Sequence, residues 1–339
     1  MLLPIQANEI HVANVYLIYY CNIIKITIMG EWSKKIGEYG EDVVEKFLSV
    51  IGWNDPAKGV AIPCIKNNNE HLNDKKNPCE THGIDFLYSY SNPLVDGQIN
   101  NVIVSVKYKT DKYPNSPTKL FKGFMEDLIM QLECFECSEK RESLLQGRSC
   151  NSINDVGVLI WLNSQTESND DLISVVASAR IDSYANKTIY IVDNKRAAFI
   201  LEIMKFVKTH NDKYDYAFYY PSTGQNINPV RRENSGKLLP VEYLNSSIIP
   251  LKLQNKDNHK EICFFLGVLD GFEEDDFTRL MGLAKDISAT FASQVIIAFP
   301  DYNDLQHGET VAIAKQKFQE SEYTKTVKVV NFNNPLNSF

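Results

Sequence analysis

Two short alternating segments constrain this chain more than any other feature. In Ile84-Asp85-Phe86-Leu87-Tyr88-Ser89-Tyr90 the even positions are apolar, and in Val102-Ile103-Val104-Ser105-Val106-Lys107-Tyr108 they are apolar again. A period of two marks a strand that turns one face toward a core. Asp96-Gly97 lies between the segments and is a turn signal. Folding back there predicts an antiparallel pair with Asp85 opposite Lys107 or Tyr108. Asp85 is the single acid of its strand and points away from Phe86 and Tyr88. Lys107 points away from the valine face, on the side of Ser105.

The surrounding pattern is mixed α/β. Val44, Phe47, Leu48 and Ile51 recur at helical spacing and predict a helix over 38–51, with Gly52 as its stop. Glu41 falls three residues before Val44 and so on the apolar stripe, where an uncompensated carboxylate is costly. A strand is expected at Val60–Ile65, then a polar loop over 66–82. Leu120, Phe124, Leu128 and Leu132 mark a helix over 118–139. Val156–Leu162 is continuously apolar, as in a strand covered on both faces. Ile189–Val192 reads as a strand, Lys195–Lys208 as a helix and Tyr216–Tyr220 as a strand. Residues 221–240 are rich in Asn, Pro, Gly and Arg and read as a linker. Beyond them, Ile262–Leu269, Gln294–Phe299 and Thr326–Phe332 are expected strands, alternating with helices at Glu273–Phe291 and Leu305–Phe318. The expected organisation is an α/β unit over 29–220 and a smaller α/β unit, for a partner or regulation, over 241–339.

The chain has 339 residues, 44% of them hydrophobic, and a net charge of −8. That composition excludes a disordered, collagenous or coiled-coil protein, and the acidic balance argues against a general nucleic-acid coat. Locally the sign reverses. Residues 101–125 carry Lys107, Lys109, Lys112, Lys119 and Lys122 against Asp111 alone, interleaved with Tyr108, Tyr113 and Phe121. That segment is either a DNA-backbone track or a solvated lysine face. Seven scattered cysteines suit a reduced cytoplasm better than a disulfide framework. No secretory signal is evident, and the apolar stretch Val15–Met29 is too short and too polar to span a bilayer. Residues 1–28 read either as an extension preceding a start at Met29 or as an apolar arm.

Glu41, Asp85 and Lys107, far apart in sequence, can converge at one end of a small sheet. Two carboxylates can hold a hard divalent cation such as Mg²⁺ or Mn²⁺. Such a cation polarises a phosphodiester and activates water, and a neighbouring lysine stabilises the developing charge. The main-chain carbonyl of Val106 is a further candidate ligand.

Gly-Glu-Tyr-Gly-Glu at 37–41, Gly-Ile-Asp at 83–85 and Val-Ser-Val-Lys-Tyr-Lys at 104–109 resemble the motifs of the PD-(D/E)xK nuclease superfamily. The expected order of helix, three strands, helix and strand over 38–162 is similar to its restriction-endonuclease-like core. The whole chain looks most like the nuclease subunit of two-gene, GAPS-type bacterial antiphage defence systems. The resemblance implies Mg²⁺-dependent DNA endonuclease activity in defence against phage or plasmids, with Asp85 and Glu41 as metal-associated acids and Lys107 as the catalytic lysine. It also implies a second subunit encoded by a neighbouring gene; a homo-oligomer is a further expectation, and no membrane association is expected. Gln131-Leu132-Glu133 resembles a motif that supports the site in some members. One departure stands out: the family's usual acid two residues before the lysine is Ser105, a weak neutral ligand. Glu41 or Glu133 can compensate. Without compensation the chain becomes a catalytically silent DNA-binding subunit, and a protein-interaction scaffold is the third reading.

The remaining candidates read as structural. Cys64, His71, Cys79 and His82 raise the question of zinc, but their spacings do not form paired short knuckles. No structural zinc is expected from them. Cys134 and Cys137, three apart on a helix, read as ordinary buried thiols. His82 precedes Gly83-Ile84-Asp85; it reads as a surface-loop histidine or, beside the site, as a contact to phosphate or metal.

Overall fold

The computed structural model describes residues 34–66, 70–73, 75–165, 171–181, 186–228, 230, 232–318 and 320–334. Segment 1–28 and the Met29 start lie outside the described residues. The chain runs through α1 (34–50), β1 (Ala57–Pro63), β2 (Thr81–Ser91), β3 (Gln98–Lys109), α2 (Thr118–Phe135), α3 (Glu139–Leu145), β4 (Ser152–Asn163), α4 (Leu172–Val176), β5 (Ile189–Val192), α5 (Asn194–Thr209), β6 (Tyr214–Tyr219) and β7 (Ser235–Gly236). A 3₁₀ turn at Val241–Asn245 leads into β8 (Ile248–Asn255), β9 (Ile262–Val268), α6 (Glu274–Ser288), β10 (Gln294–Phe299), α7 (Asp304–Lys317), α8 (Ser321–Thr326) and β11 (Val327–Asn331).

These strands form two mixed sheets. The first has the order β1-β2-β3-β4-β5 and the second β11-β10-β9-β8-β6-β7. In the first sheet β1, β2 and β3 are antiparallel neighbours, while β4 and β5 run parallel to β3. The parallel β3–β4 step requires a crossover, which α2 supplies. Leu128 and Leu132 of α2 pack on Ile84, Leu87, Ile103 and Leu159 of the sheet. Val44, Phe47 and Leu48 of α1 share a second core with Phe86, Val102 and Val104. β3 is therefore covered on both faces, and every residue from Ile99 to Ser105 is buried. The alternation in its sequence suggests one-sided burial; the polar residues instead point inward and find partners. Asn101 donates to Asp155 Oδ1 at 2.7 Å and Asn100 to the Tyr90 hydroxyl at 3.0 Å.

The two sheets are not separate bodies. The core that holds α1 continues through Ile203 and Phe206 of α5 into Phe218, Leu251 and Phe265 of the second sheet. The far face of that sheet is covered by α6 and α7 through Phe277, Met281 and Ala314. β6, expected within the first unit, pairs with β8 in the second sheet, Phe218 opposite Leu251. The stretch 221–240, expected as a linker, contains β7, which pairs with β6, and it buries Leu239. A short amphipathic strand carries no signal of which sheet it joins. Gly52 has φ +84°, as a helix-stop glycine requires, and a side chain there would strike the Lys237 carbonyl. Among the described residues, no helix is long and apolar enough to cross a membrane.

Candidate active site

The site forms where β2 and β3 meet the N-terminal half of α1. The β2–β3 ladder pairs Phe86 with Val104. Continued one step, that register sets Asp85 across from Ser105, not from Lys107 or Tyr108. The expectation centred the turn on Asp96-Gly97, but β2 ends at Ser91 and β3 begins at Gln98, so the loop over 92–97 is centred before that dipeptide and shifts the register. Asp85 Oδ2 accepts the Val106 N–H at 2.6 Å, which holds the carboxylate beside the Ser105–Lys107 stretch. Burial pushes the Asp85 carboxyl above its usual range, and the Val106 hydrogen bond and the nearby Lys107 charge pull it back.

Glu41 lies on an exposed face of α1, beside the buried stripe of Gly40, Val44, Phe47 and Leu48 and not on it. A residue three before Val44 is about 60° from it on the helix, enough to leave the core. Its carboxyl is nevertheless raised, first by partial burial and next by the Asp85 carboxylate. The Asp85 carboxylate is thus near enough to oppose ionisation of Glu41, while Asp127 is the acid that opposes ionisation of Asp85. Gly40 sets this approach: a Cβ there would strike Cβ of Tyr108 on β3. The neighbouring Tyr39 ring packs edge-on against Tyr108, with centroids 5.6 Å apart. Replacing Gly40 with Ala should push α1 off the strand and lower the cleavage rate about 100-fold, because displacements near 1 Å carry that cost. Comparing turnover with thermal stability tests this, since a fall in stability without one in rate would show that α1 does not set the geometry.

Lys107 Nζ lies 3.5 Å from Asp127 Oδ2 and 5.2 Å from the centroid of the Phe124 ring, both on α2. Gln131 Nε2 also reaches Asp127 Oδ2, at 3.4 Å, while Gln131 Oε1 is buried without a partner among the described residues. Asp127 is the acid beside Lys107 that the sequence reading did not single out. Its signal was available, since Asp127 precedes Gln131 by one helical turn and shares its face. Glu133 belongs elsewhere. Two residues apart on a helix is about 200°, so Gln131 and Glu133 cannot serve the same site. Glu133 Oε2 instead takes hydrogen bonds from Lys66 at 2.8 Å and from His71 at 2.9 Å. His82 is no surface-loop residue: it is buried on β2, with Nε2 3.3 Å from His71 Nδ1. Ser105 is buried between β2 and β4.

Lys109, Lys112 and Lys119 are exposed and Lys122 is half-buried. They continue from the Lys107 end of β3 into α2. Among the described residues none of the four is in an ion pair with an acid, so their charge is available to a polyanion.

The donor set suits a hard dication. The Glu41 and Asp85 carboxyls are both raised first by burial, with Asp85 adding repulsion at Glu41 and Asp127 adding it at Asp85, and a cation would relieve that cost. Among the described residues no three acids bring their oxygens within 4.8 Å of one another.

A five-stranded mixed sheet with an acid on α1, an acid on β2 and a lysine on β3 is the arrangement that the resemblance to the PD-(D/E)XK nucleases implies. Residues 29–196 match the family model described as the GAPS4 protein PD-(D/E)XK nuclease domain. Through those residues the chain belongs to the PD-(D/E)XK nucleases of GAPS4-type defence systems, and its first sheet is the restriction-endonuclease-like core of that domain. No curated protein matches the chain.

Proposed function

We propose that this chain is a divalent-cation-dependent DNA endonuclease that acts in the cytoplasm against phage or plasmid DNA, with a second protein subunit. The observation that carries this reading is the Val106 N–H bond that holds Asp85 beside the Ser105–Lys107 stretch of β3, with Lys107 and Glu41 near enough to couple to it electrostatically. Asp85, Glu41 and the Val106 carbonyl would hold Mg²⁺ or Mn²⁺. When bound, such an ion supplies Lewis acidity toward the phosphodiester and a water of lowered pKa. The Val106 N–H stops the Asp85 carboxylate from rotating. Lys107 offers its ammonium to the phosphate oxygens as their charge develops. Asp127, anchored by Gln131, directs that ammonium and supplies on α2 the negative charge missing at Ser105.

The test is plasmid cleavage with Mg²⁺ or Mn²⁺ by the full chain together with any co-transcribed partner. A silent DNA-binding subunit would bind DNA and leave it uncut. A scaffold would show no salt-dependent binding at all. The lysine track has its own expected outcome. Alanine at Lys109, Lys112 or Lys119 should weaken binding alike for all sequences, each lowering the slope of log K against log salt by about 1. Fluorescence anisotropy on one duplex over a salt series measures that slope, and an unchanged slope in all three would reduce these residues to a solvated face.

A further inference from the structure

Four side chains outside the nuclease site converge in the core beneath α2. Cys64 follows β1, His71 lies in the loop to β2, His82 is on β2 and Cys134 is on α2. All four are buried, and one ligand atom from each falls within 4.8 Å of every other. His71 Nδ1 lies 3.4 Å from Cys64 Sγ, 3.4 Å from Cys134 Sγ and 3.3 Å from His82 Nε2, and the two sulfurs are 3.9 Å apart.

Hydrogen bonding does not account for this arrangement. An imidazole nitrogen carries one in-plane proton or one lone pair, so it satisfies one partner, not three. Tetrahedral zinc accounts for each distance. Zn–S bonds of about 2.3 Å and Zn–N bonds of about 2.0–2.1 Å at tetrahedral angles separate two sulfurs by about 3.8 Å, sulfur from nitrogen by about 3.5 Å and two nitrogens by about 3.3 Å. The far side of His71 agrees. Its Nε2 meets Glu133 Oε2 at 2.9 Å, so the proton sits there and the Nδ1 lone pair faces the cluster centre. Lys66 in turn pairs with Glu133 at 2.8 Å. Two thiolates neutralise a dication, which makes the closed site neutral where it is buried.

We propose that Cys64, His71, His82 and Cys134 form a structural Cys₂His₂ zinc site with Glu133 as the carboxylate that orients His71. Four protein ligands leave no position open for water or substrate, so the ion is a staple and not a reactant. It ties the loop of residues 64–82 and α2 to the β1–β2 pair. His82 lies three residues before Asp85 on β2, and Cys134 seven after Asp127 on α2. The staple thus fixes the two elements that carry Asp85 and Asp127. Cys79, although near Cys64, is outside the ligand set.

The test uses the full chain purified without chelator from zinc-replete cells, with metal content read by mass spectrometry. About one zinc per chain is expected, and less than about a tenth overturns the proposal. Cys134→Ser should lose at least about nine-tenths of the zinc while Cys79→Ser keeps it; equal zinc in the two variants overturns the ligand assignment. Should Cys134→Ser fail to fold, the wild-type chain grown with cobalt decides the matter. Intense visible bands of tetrahedral Co²⁺ with thiolate charge transfer support the site, and the weak spectrum of six-coordinate Co²⁺ overturns it. None of these readouts involves DNA cleavage, so they stand or fall independently of the nuclease reading.

Discussion

Alanine at Lys107 is expected to slow Mg²⁺-supported DNA cleavage by about 10²–10³-fold, the loss typical when one group that stabilises transition-state charge is removed. The fold should survive. The Lys107 side chain is 28% exposed and its ion pair with Asp127 is open to solvent, so its net contribution to stability is within about 1 kcal/mol. Arginine should not restore the rate, because a planar fork cannot replace a point charge held between Asp127 and the Phe124 ring. Asp85→Asn should be at least as damaging. The asparagine oxygen can still accept the Val106 N–H, so the strand edge stays intact while the ligand charge disappears. Asp127→Asn should cost less, about tenfold, since Asp127 works through the ammonium it directs. Single-turnover cleavage, with binding measured in parallel, separates chemistry from affinity. Wild-type rates in both Lys107→Ala and Asp85→Asn would remove this site from consideration.

What the sequence revealed of this site follows from what one-dimensional patterns can carry. Asp85 and Lys107 stand out because each is the lone charge of its alternating segment, 84–90 and 102–108, and that contrast survives without coordinates. Their relative placement does not, because the register depends on where the loop over 92–97 begins and ends. Helical phase was legible too, yet reading Gln131-Leu132-Glu133 as one block ignored the roughly 200° between its first and last residues. Applying the phase points backward from Gln131 to Asp127. The Cys₂His₂ cluster lay furthest from view. Three of its members are close in sequence, but the fourth comes from α2, and no spacing rule links Cys134 to Cys64 before the crossover is folded. Strand β8 was hidden differently: Ile249, Leu251 and Leu253 alternate and are buried, but Pro250 in their midst reads as a breaker.

The same limit explains the expected split into two units at 221–240, and a substitution far from the site should expose how strongly the sheets are joined. Trp53 follows the Gly52 helix stop and has no exposed surface. Its indole Nε1 donates to the Leu239 carbonyl at 2.8 Å, 186 residues away. Its ring stacks on Tyr88 at 5.6 Å and 12° and leans on Tyr90, whose hydroxyl accepts the Val241 N–H at 2.9 Å. Leu239 N–H donates to the Ile51 carbonyl at 2.8 Å. The end of the supposed linker is therefore keyed into the first sheet by an aromatic stack and three hydrogen bonds. Trp53→Ala empties a buried site of that size and should cost about 3–5 kcal/mol, a large share of the roughly 5–15 kcal/mol that holds a folded domain. Trp53→Phe keeps a ring against Tyr88 but leaves the Leu239 carbonyl unpaired, for about 1–3 kcal/mol. Because one core runs from α1 through α5 into β8 and β9, both variants should lower a single unfolding transition as a whole. Calorimetry with far-ultraviolet circular dichroism measures this. Two transitions, only one of them moved by Trp53→Ala, would show two independent units after all, and a fragment ending at 220 would then fold alone. A shared core predicts that it does not, since such a fragment exposes Ile203 and Phe206 and strands β6 without β8.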